Sequence, residues 1–192
     1  EMEEYKYVEI DEEDDWLVAE SLMKKHTILD KTEKNVKLFL SDVDGTLTDS
    51  GMYYSEEGDE FKKFNTRDGK GFELLRKSGI KTGIITSENT KMVERRAMKL
   101  KLDYLYQGLE HKGKLDIVKE ICTTENIELE QVAYIGDDVN CINLLKEVGF
   151  AACPSDAVHE VKSISGIRVL NAKGGYGAVR EFIETILYDK PS

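Results

Sequence analysis

Residues 37–49 read Lys-Leu-Phe-Leu-Ser-Asp-Val-Asp-Gly-Thr-Leu-Thr-Asp, and they constrain the fold more than any other stretch of the chain. The apolar run that begins at the β-branched Val36 contains no Gly or Pro and predicts a buried strand. It ends on Asp42 and Asp44, two residues apart, a spacing that on a strand sends both side chains to one face. Gly45 then permits a sharp turn. Two carboxylates aimed together repel unless a cation or a shared proton lies between them. In an open α/β sheet the C-terminal ends of the strands are where ligands bind. The stretch therefore predicts a metal-assisted active site at a strand end.

From Gly69 onward the chain alternates in a regular way. Helices are expected over 72–77, 90–101, 114–123, 139–147, 157–163 and 177–187, and further strands over 81–85, 103–106, 132–135, 150–152 and 168–170. Six strands interleaved with helices predict an α/β domain built on a doubly wound parallel sheet, covered on both faces. Between the first strand and the first helix, residues 51–64 carry two aromatic-bearing arms around Glu56-Glu57-Gly58-Asp59 and predict a β-hairpin. A lone hairpin is marginal in water, so its aromatics are expected to pack on something, such as another subunit.

The chain of 192 residues suits one such domain plus an appendage. Residues 1–35 form an acidic segment and linker, and 36–192 the main domain. A net charge of −11 argues against nucleic acid or an anionic membrane as partner, and no run approaches the length of a membrane span. Three widely spaced cysteines without a CxxC pair read as reduced thiols in the cytoplasm. The first residues, Glu1-Met2-Glu3, suggest a piece of something longer.

Three strand ends then carry chemistry: Asp42 and Asp44 on the first, Thr86 and Ser87 on the second, Asp137 and Asp138 on the fourth. Lys112 precedes a helix start. Carboxylates from two strand ends suit a hard cation such as Mg²⁺, which keeps some waters and accepts a phosphate oxygen. The Thr86 hydroxyl and the Lys112 ammonium can hold further phosphate oxygens. The Gly136-Asp137-Asp138 step leaves a second reading open, with one aspartate as a helix N-cap.

Asp42-Val43-Asp44-Gly45-Thr46-Leu47, Thr86, Lys112 and Gly136-Asp137-Asp138 resemble the four motifs of the haloacid dehalogenase superfamily. The resemblance implies a Rossmann-like fold with the hairpin in place of a large cap domain, and phosphoryl transfer through an aspartyl-phosphate. It makes Asp42 the nucleophile and Asp44 the acid and base, with Mg²⁺ on Asp42, the Asp44 carbonyl and Asp137. The hairpin, residues 63–69 and the tail 174–181 further resemble the 3-deoxy-D-manno-octulosonate 8-phosphate phosphatases, homotetramers whose sites are closed by a neighbouring subunit. That likeness also implies a tail around Gly174-Gly175 that reaches a neighbour's site.

Within that group, residues 86–90 and 93–100 look closest to the 2-keto-3-deoxynononate 9-phosphate phosphatases. This implies that Glu88, Arg96 and Lys99 contact a nine-carbon sugar acid; Arg67, Lys70 and Ser87 are further candidates for the anionic ligand, read from the sequence itself. Residues 7–20 resemble the last residues of CMP-sialic acid synthetases, which implies the phosphatase part of a bifunctional enzyme. Two alternatives stand beside this reading: an eight-carbon substrate, and a weakly active module that tetramerises a synthetase. Two departures from the superfamily pattern matter: Cys141 occupies the place of the usual further acid of motif four, and motif two reads Thr86-Ser87-Glu88 where Thr-Gly is usual.

Overall fold

A computed structural model describes residues 36–58, 60–109 and 113–188. The acidic N-terminal segment, its boundary at residue 35 and Lys112 lie outside the described residues. The first strand, β1 (Leu38–Ser41), is buried throughout. After it come the short arms β2 (Tyr53–Tyr54) and β3 (Glu60–Phe61), helix α1 (Thr66–Lys77), β4 (Lys81–Ile85), α2 (Lys91–Leu100), β5 (Tyr104–Tyr106) and α3 (Lys114–Glu125). The chain continues through β6 (Val132–Ile135), a 3₁₀ turn (Val139–Cys141), α4 (Ile142–Glu147), β7 (Phe150–Cys153), α5 (His159–Lys162), β8 (Arg168–Val169) and α6 (Ala178–Tyr188).

The six longer-range strands form one sheet in the order β5-β4-β1-β6-β7-β8, every pair parallel. The sequence-based expectation of a doubly wound parallel sheet holds. The reversal of order falls at β1, which has β4 on one side and β6 on the other. That is the switch point at which such sheets open a crevice, and it brings the ends of β1, β4 and β6 side by side. Two apolar layers cover the sheet. One holds Phe39, Phe72, Val93, Phe182 and Ile183; the other holds Leu38, Leu40, Ile117, Tyr134 and Leu144. Alternate residues of β1 thus serve opposite faces, as the period of two requires.

The structure extends α1 six residues ahead of its expected start, to Thr66. The side chain of Asn65 caps it by accepting from the Arg67 amide. Gly69 and Gly71 read as breakers, yet both serve close packing. A Cβ on Gly71 would lie 2.8 Å from Ile183 Cδ1, and one on Gly69 would lie 2.9 Å from an Arg96 guanidinium nitrogen. Asp68 ties the two helices together, because its Oδ1 accepts from the Arg180 amide at 2.8 Å in the first turn of α6.

The expected hairpin forms from β2 and β3, with Tyr53 opposite Phe61 and Tyr54 opposite Glu60. Met52, Tyr53, Tyr54 and Phe61 are each about half exposed or more. The Gly174-Gly175 step lies against its own chain: Gly175 donates to the Thr46 carbonyl at 3.0 Å, and Gly174 donates to Asp156 at 3.0 Å. A Cβ on Gly174 would sit 1.9 Å from the Gly45 carbonyl oxygen. The glycine pair therefore serves close backbone approach within the chain.

Candidate active site

Asp42 follows the last residue of β1, and its amide donates to the Ile135 carbonyl of β6. The side chain is 7% exposed. Its Oδ1 accepts from the Val43 amide at 2.8 Å. Its Oδ2 is held by the Lys114 ammonium in a short ion pair and by the Cys141 thiol at 2.9 Å. Beyond it the chain turns sharply about the Val43 carbonyl, which accepts from the amides of Thr46, Leu47 and Thr48. Gly45 takes φ +74°, and a Cβ there would lie 1.8 Å from Asp137 Oδ2. Glycine is required at that position on both counts.

Lys114 opens α3, and its side chain is 3% exposed. A cation at a helix N-terminus is disfavoured by the helix dipole, so its position depends on the Asp42 carboxylate. The ammonium also lies 3.3 Å from both the Tyr134 hydroxyl and Cys141 Sγ. Burial works to lower the Lys114 pKa, but the charge and hydrogen bond of Asp42, together with those of Cys141, outweigh it and the net shift is upward. Among the described residues the lysine that faces the nucleophile position is Lys114; Lys112, to which the sequence points, lies outside them. Both residues flank the expected helix start, and the choice depends on the first helical turn, which aims residue 114 back at the sheet.

Asp137 and Asp138 divide the two open readings between them. Asp138 is an N-cap, accepting from the Val139 amide at 2.7 Å. Asp137 turns inward and accepts from the Thr46 hydroxyl at 3.1 Å. Burial, and then the negative charge of Asp42, push the Asp137 carboxyl up to about 7. A buried carboxyl raised by the charge of a neighbouring carboxylate marks a place where a cation is favoured.

The Asp44 carbonyl accepts no hydrogen bond among the described residues. No three His, Cys, Asp or Glu side chains among those residues converge into a closed metal cage. The donors present are two carboxylates and a backbone carbonyl, all oxygen, which suits Mg²⁺ with its other positions left to water and phosphate.

Thr86 lies at the end of β4, 2% exposed, with its amide committed to the Tyr106 carbonyl and its hydroxyl without a protein partner among the described residues. Ser87 is exposed and accepts from Asn140 at 3.4 Å. Glu88 bends back to Lys62, a residue that the sequence reading did not select. Lys62 and Lys63 leave the hairpin on opposite sides, as neighbours on an extended arm do. Lys62 points inward, its side chain 1% exposed, and donates to Asp44 Oδ1 at 2.7 Å and to Glu88. Lys63 is exposed, pairing with Asp49 at 2.7 Å and lying 3.9 Å above the Tyr176 ring.

The remaining candidates are not drawn in by one chain. Arg96 lies over Phe64 and donates to the Asn65 carbonyl at 2.9 Å, so it braces the start of α1. Lys99 and Arg67 are exposed on α2 and α1.

The chain is similar to known phosphatases in sequence and in fold. Residues 67–149 match the model of the haloacid dehalogenase-like hydrolases. The chain is 40% identical over 153 residues to a 3-deoxy-D-manno-octulosonate 8-phosphate phosphatase of Yersinia pestis, covering 80% of each protein. Among solved structures, the corresponding Moraxella catarrhalis phosphatase, in complex with magnesium, phosphate and KDO, superposes with a TM-score of 0.78 at 38% identity. That match covers 84% of this chain and 91% of the other. The cobalt-bound Haemophilus influenzae enzyme gives 0.75 at 32% identity, over 82% and 90%. The chain belongs to the haloacid dehalogenase-like hydrolases, in the group of the 3-deoxy-D-manno-octulosonate 8-phosphate phosphatases, and is a phosphoric monoester hydrolase.

Proposed function

We propose that this protein hydrolyses the phosphate ester of a 2-keto-3-deoxy sugar acid, with 3-deoxy-D-manno-octulosonate 8-phosphate as the substrate that its relatives favour. The observation that carries the chemistry is a buried Asp42 fixed by Lys114, beside an Asp44 carboxylate with one oxygen free. Asp42 attacks phosphorus, and Asp44 gives its proton to the departing sugar oxygen. Asp44 then takes a proton from the water that cleaves the aspartyl-phosphate. Thr86 and Lys114 hold the phosphoryl oxygens. Asp42, the Asp44 carbonyl and Asp137 would hold Mg²⁺, which would offset the repulsion between carboxylate and phosphate.

A second reading keeps a nine-carbon acid phosphate, KDN 9-phosphate or N-acetylneuraminate 9-phosphate, as substrate. It is favoured by Glu88 in motif two together with Arg96 and Lys99, and it would go with residues 1–35 as the end of a cytidylyltransferase domain. The relatives support the eight-carbon reading better. Homotetramer formation through the hairpin, and a cytoplasmic setting for the three free, buried cysteines, belong to the same proposal. No helix among the described residues is long and apolar enough to cross a membrane.

Steady-state assays with Mg²⁺ on the eight- and nine-carbon phosphates decide between the two substrates. The eight-carbon ester is expected to give the highest kcat/KM, and a clear preference for a nine-carbon ester would overturn that assignment. Loss of turnover in Asp42→Asn separates either reading from a purely structural module.

A further inference from the structure

Lys62 reaches Asp44 from the hairpin and is buried there, with its side chain 1% exposed. Three carboxylates face it. It donates to Asp44 Oδ1 at 2.7 Å and to Glu88 in a short ion pair, and Glu60 Oε1 lies 3.7 Å away. The anchor comes from the hairpin side of the molecule, since Lys62 immediately follows β3. Its amide approaches Met92 Sδ at 3.3 Å, which places the backbone against α2.

The pattern on Asp44 is one-sided. Lys62 and, at 3.4 Å, the Thr48 hydroxyl both donate to Oδ1. Oδ2 has no partner among the described residues. A carboxyl that must pass a proton to a leaving oxygen and take one from water needs one oxygen free and its plane fixed. An ammonium that clamps the other oxygen does both. Glu88 holds the same ammonium from the loop after β4, so Lys62 is itself fixed between two strand ends.

We propose that Lys62 is a positioning residue for the hydrolysis, orienting Asp44 so that its free Oδ2 meets the leaving oxygen. This rests on the reading of Asp44 as acid and base. The hairpin then does more than expose aromatics, because its inner face sets the geometry of proton transfer. Removal of the lysine leaves Asp44, Glu88 and Glu60 facing one another without compensation, and Asp44 turns away.

The test is the dependence on leaving group. p-Nitrophenyl phosphate releases a stable phenolate that departs without a proton, whereas a sugar phosphate releases an alkoxide that requires one. For Lys62→Met, the kcat on the sugar phosphate is expected to fall roughly 10- to 100-fold more than the kcat on p-nitrophenyl phosphate. Lys62→Arg is expected to restore most of the ratio. The ratio of the two rates on one preparation is independent of how much of the protein is folded, so a destabilised variant still reports. Equal losses on both substrates, or no loss on the sugar phosphate, overturn the proposal. Asp44→Asn serves as the reference. If it shows no leaving-group dependence, the acid–base reading of Asp44 fails; if it does and Lys62→Met does not, only the role of Lys62 fails.

Discussion

The Cys141 thiol lies 2.9 Å from Oδ2 of Asp42, so a neutral donor occupies the place where the superfamily resemblance calls for a further acid. Burial, followed by the charge of Asp42, pushes the thiol up to about 12, and it stays protonated. Cys141 therefore shares with Lys114 the task of holding the nucleophile, and it brings no charge toward a metal.

Restoring the acid should change metal binding. Cys141→Asp is expected to lower the Mg²⁺ concentration for half-maximal turnover by roughly 10-fold, the scale on which groups just beyond the ligands act. Calorimetric titration of Mg²⁺ into the phosphate-free protein checks the affinity apart from turnover. Unchanged Mg²⁺ dependence would mean that residue 141 acts only through Asp42.

The two lysines near the start of α3 should separate cleanly. Lys114→Met removes the cation that faces Asp42 and is expected to reduce kcat by roughly 10²- to 10³-fold, the cost of losing one preorganised charge at a phosphoryl centre. Lys112→Met is expected to stay within a factor of about three of the parent. Rates on a single phosphate ester measure both. The reverse order would return the phosphate-binding role to Lys112.

The difference between those lysines shows what the sequence could and could not disclose. Asp42, Thr86 and Asp137 follow the C-terminal ends of β1, β4 and β6, which the switch point sets side by side, whereas Asp44 lies past the strand in a turn, where two-residue periodicity no longer sets its direction. Lys114 and Lys62 depend on rotations that the pattern leaves open: the first turn of a helix, and the handedness of a hairpin arm. The start of α1 was obscured for another reason. Gly69 and Gly71 signal a break locally, but the close contacts with Arg96 and Ile183 require small residues inside a helix. Arg96 and Lys99 share a helix face in sequence, yet Arg96 is engaged by Asn65 and Phe64, contacts between distant segments that spacing alone does not reveal.

Asp68 should leave a mark on stability. Burial pushes its carboxyl up to about 6, while the Arg180 amide and the charges of Arg96 and Arg180 act in the opposite direction. Its Oδ2 is buried without a hydrogen bond. The folded protein holds a proton here that the unfolded chain has lost between about pH 4 and pH 6, so this group makes stability fall as pH rises through that window. The full span is roughly 3 kcal/mol from a shift of about two units. Urea unfolding of the parent and of Asp68→Asn across that range is the check. The difference in unfolding free energy between them should drift by that amount in favour of the variant toward neutral pH. A constant difference would show that Asp68 ionises in the fold as it does in the unfolded chain.

The hairpin makes the last prediction. Tyr53, Tyr54 and Phe61 stand half exposed or more on a two-stranded ribbon that is marginal by itself. Tyr53 and Phe61 pair on one face of the ribbon and Tyr54 stands on the other. Exposed aromatics of this kind mark a surface that a partner covers, and the proposed occupant is a second copy of the same hairpin. Tyr54→Glu combined with Phe61→Glu would place charges in that contact, and burying unpaired charges is costly. Light scattering coupled to size exclusion is expected to show a tetramer for the parent and smaller species for the double variant. Because Lys62 leaves the same hairpin toward Asp44, dissociation should also lower turnover on sugar phosphates. A parent that elutes at the mass of a single chain would remove the assembly from the proposal and leave Lys62 to act within one subunit.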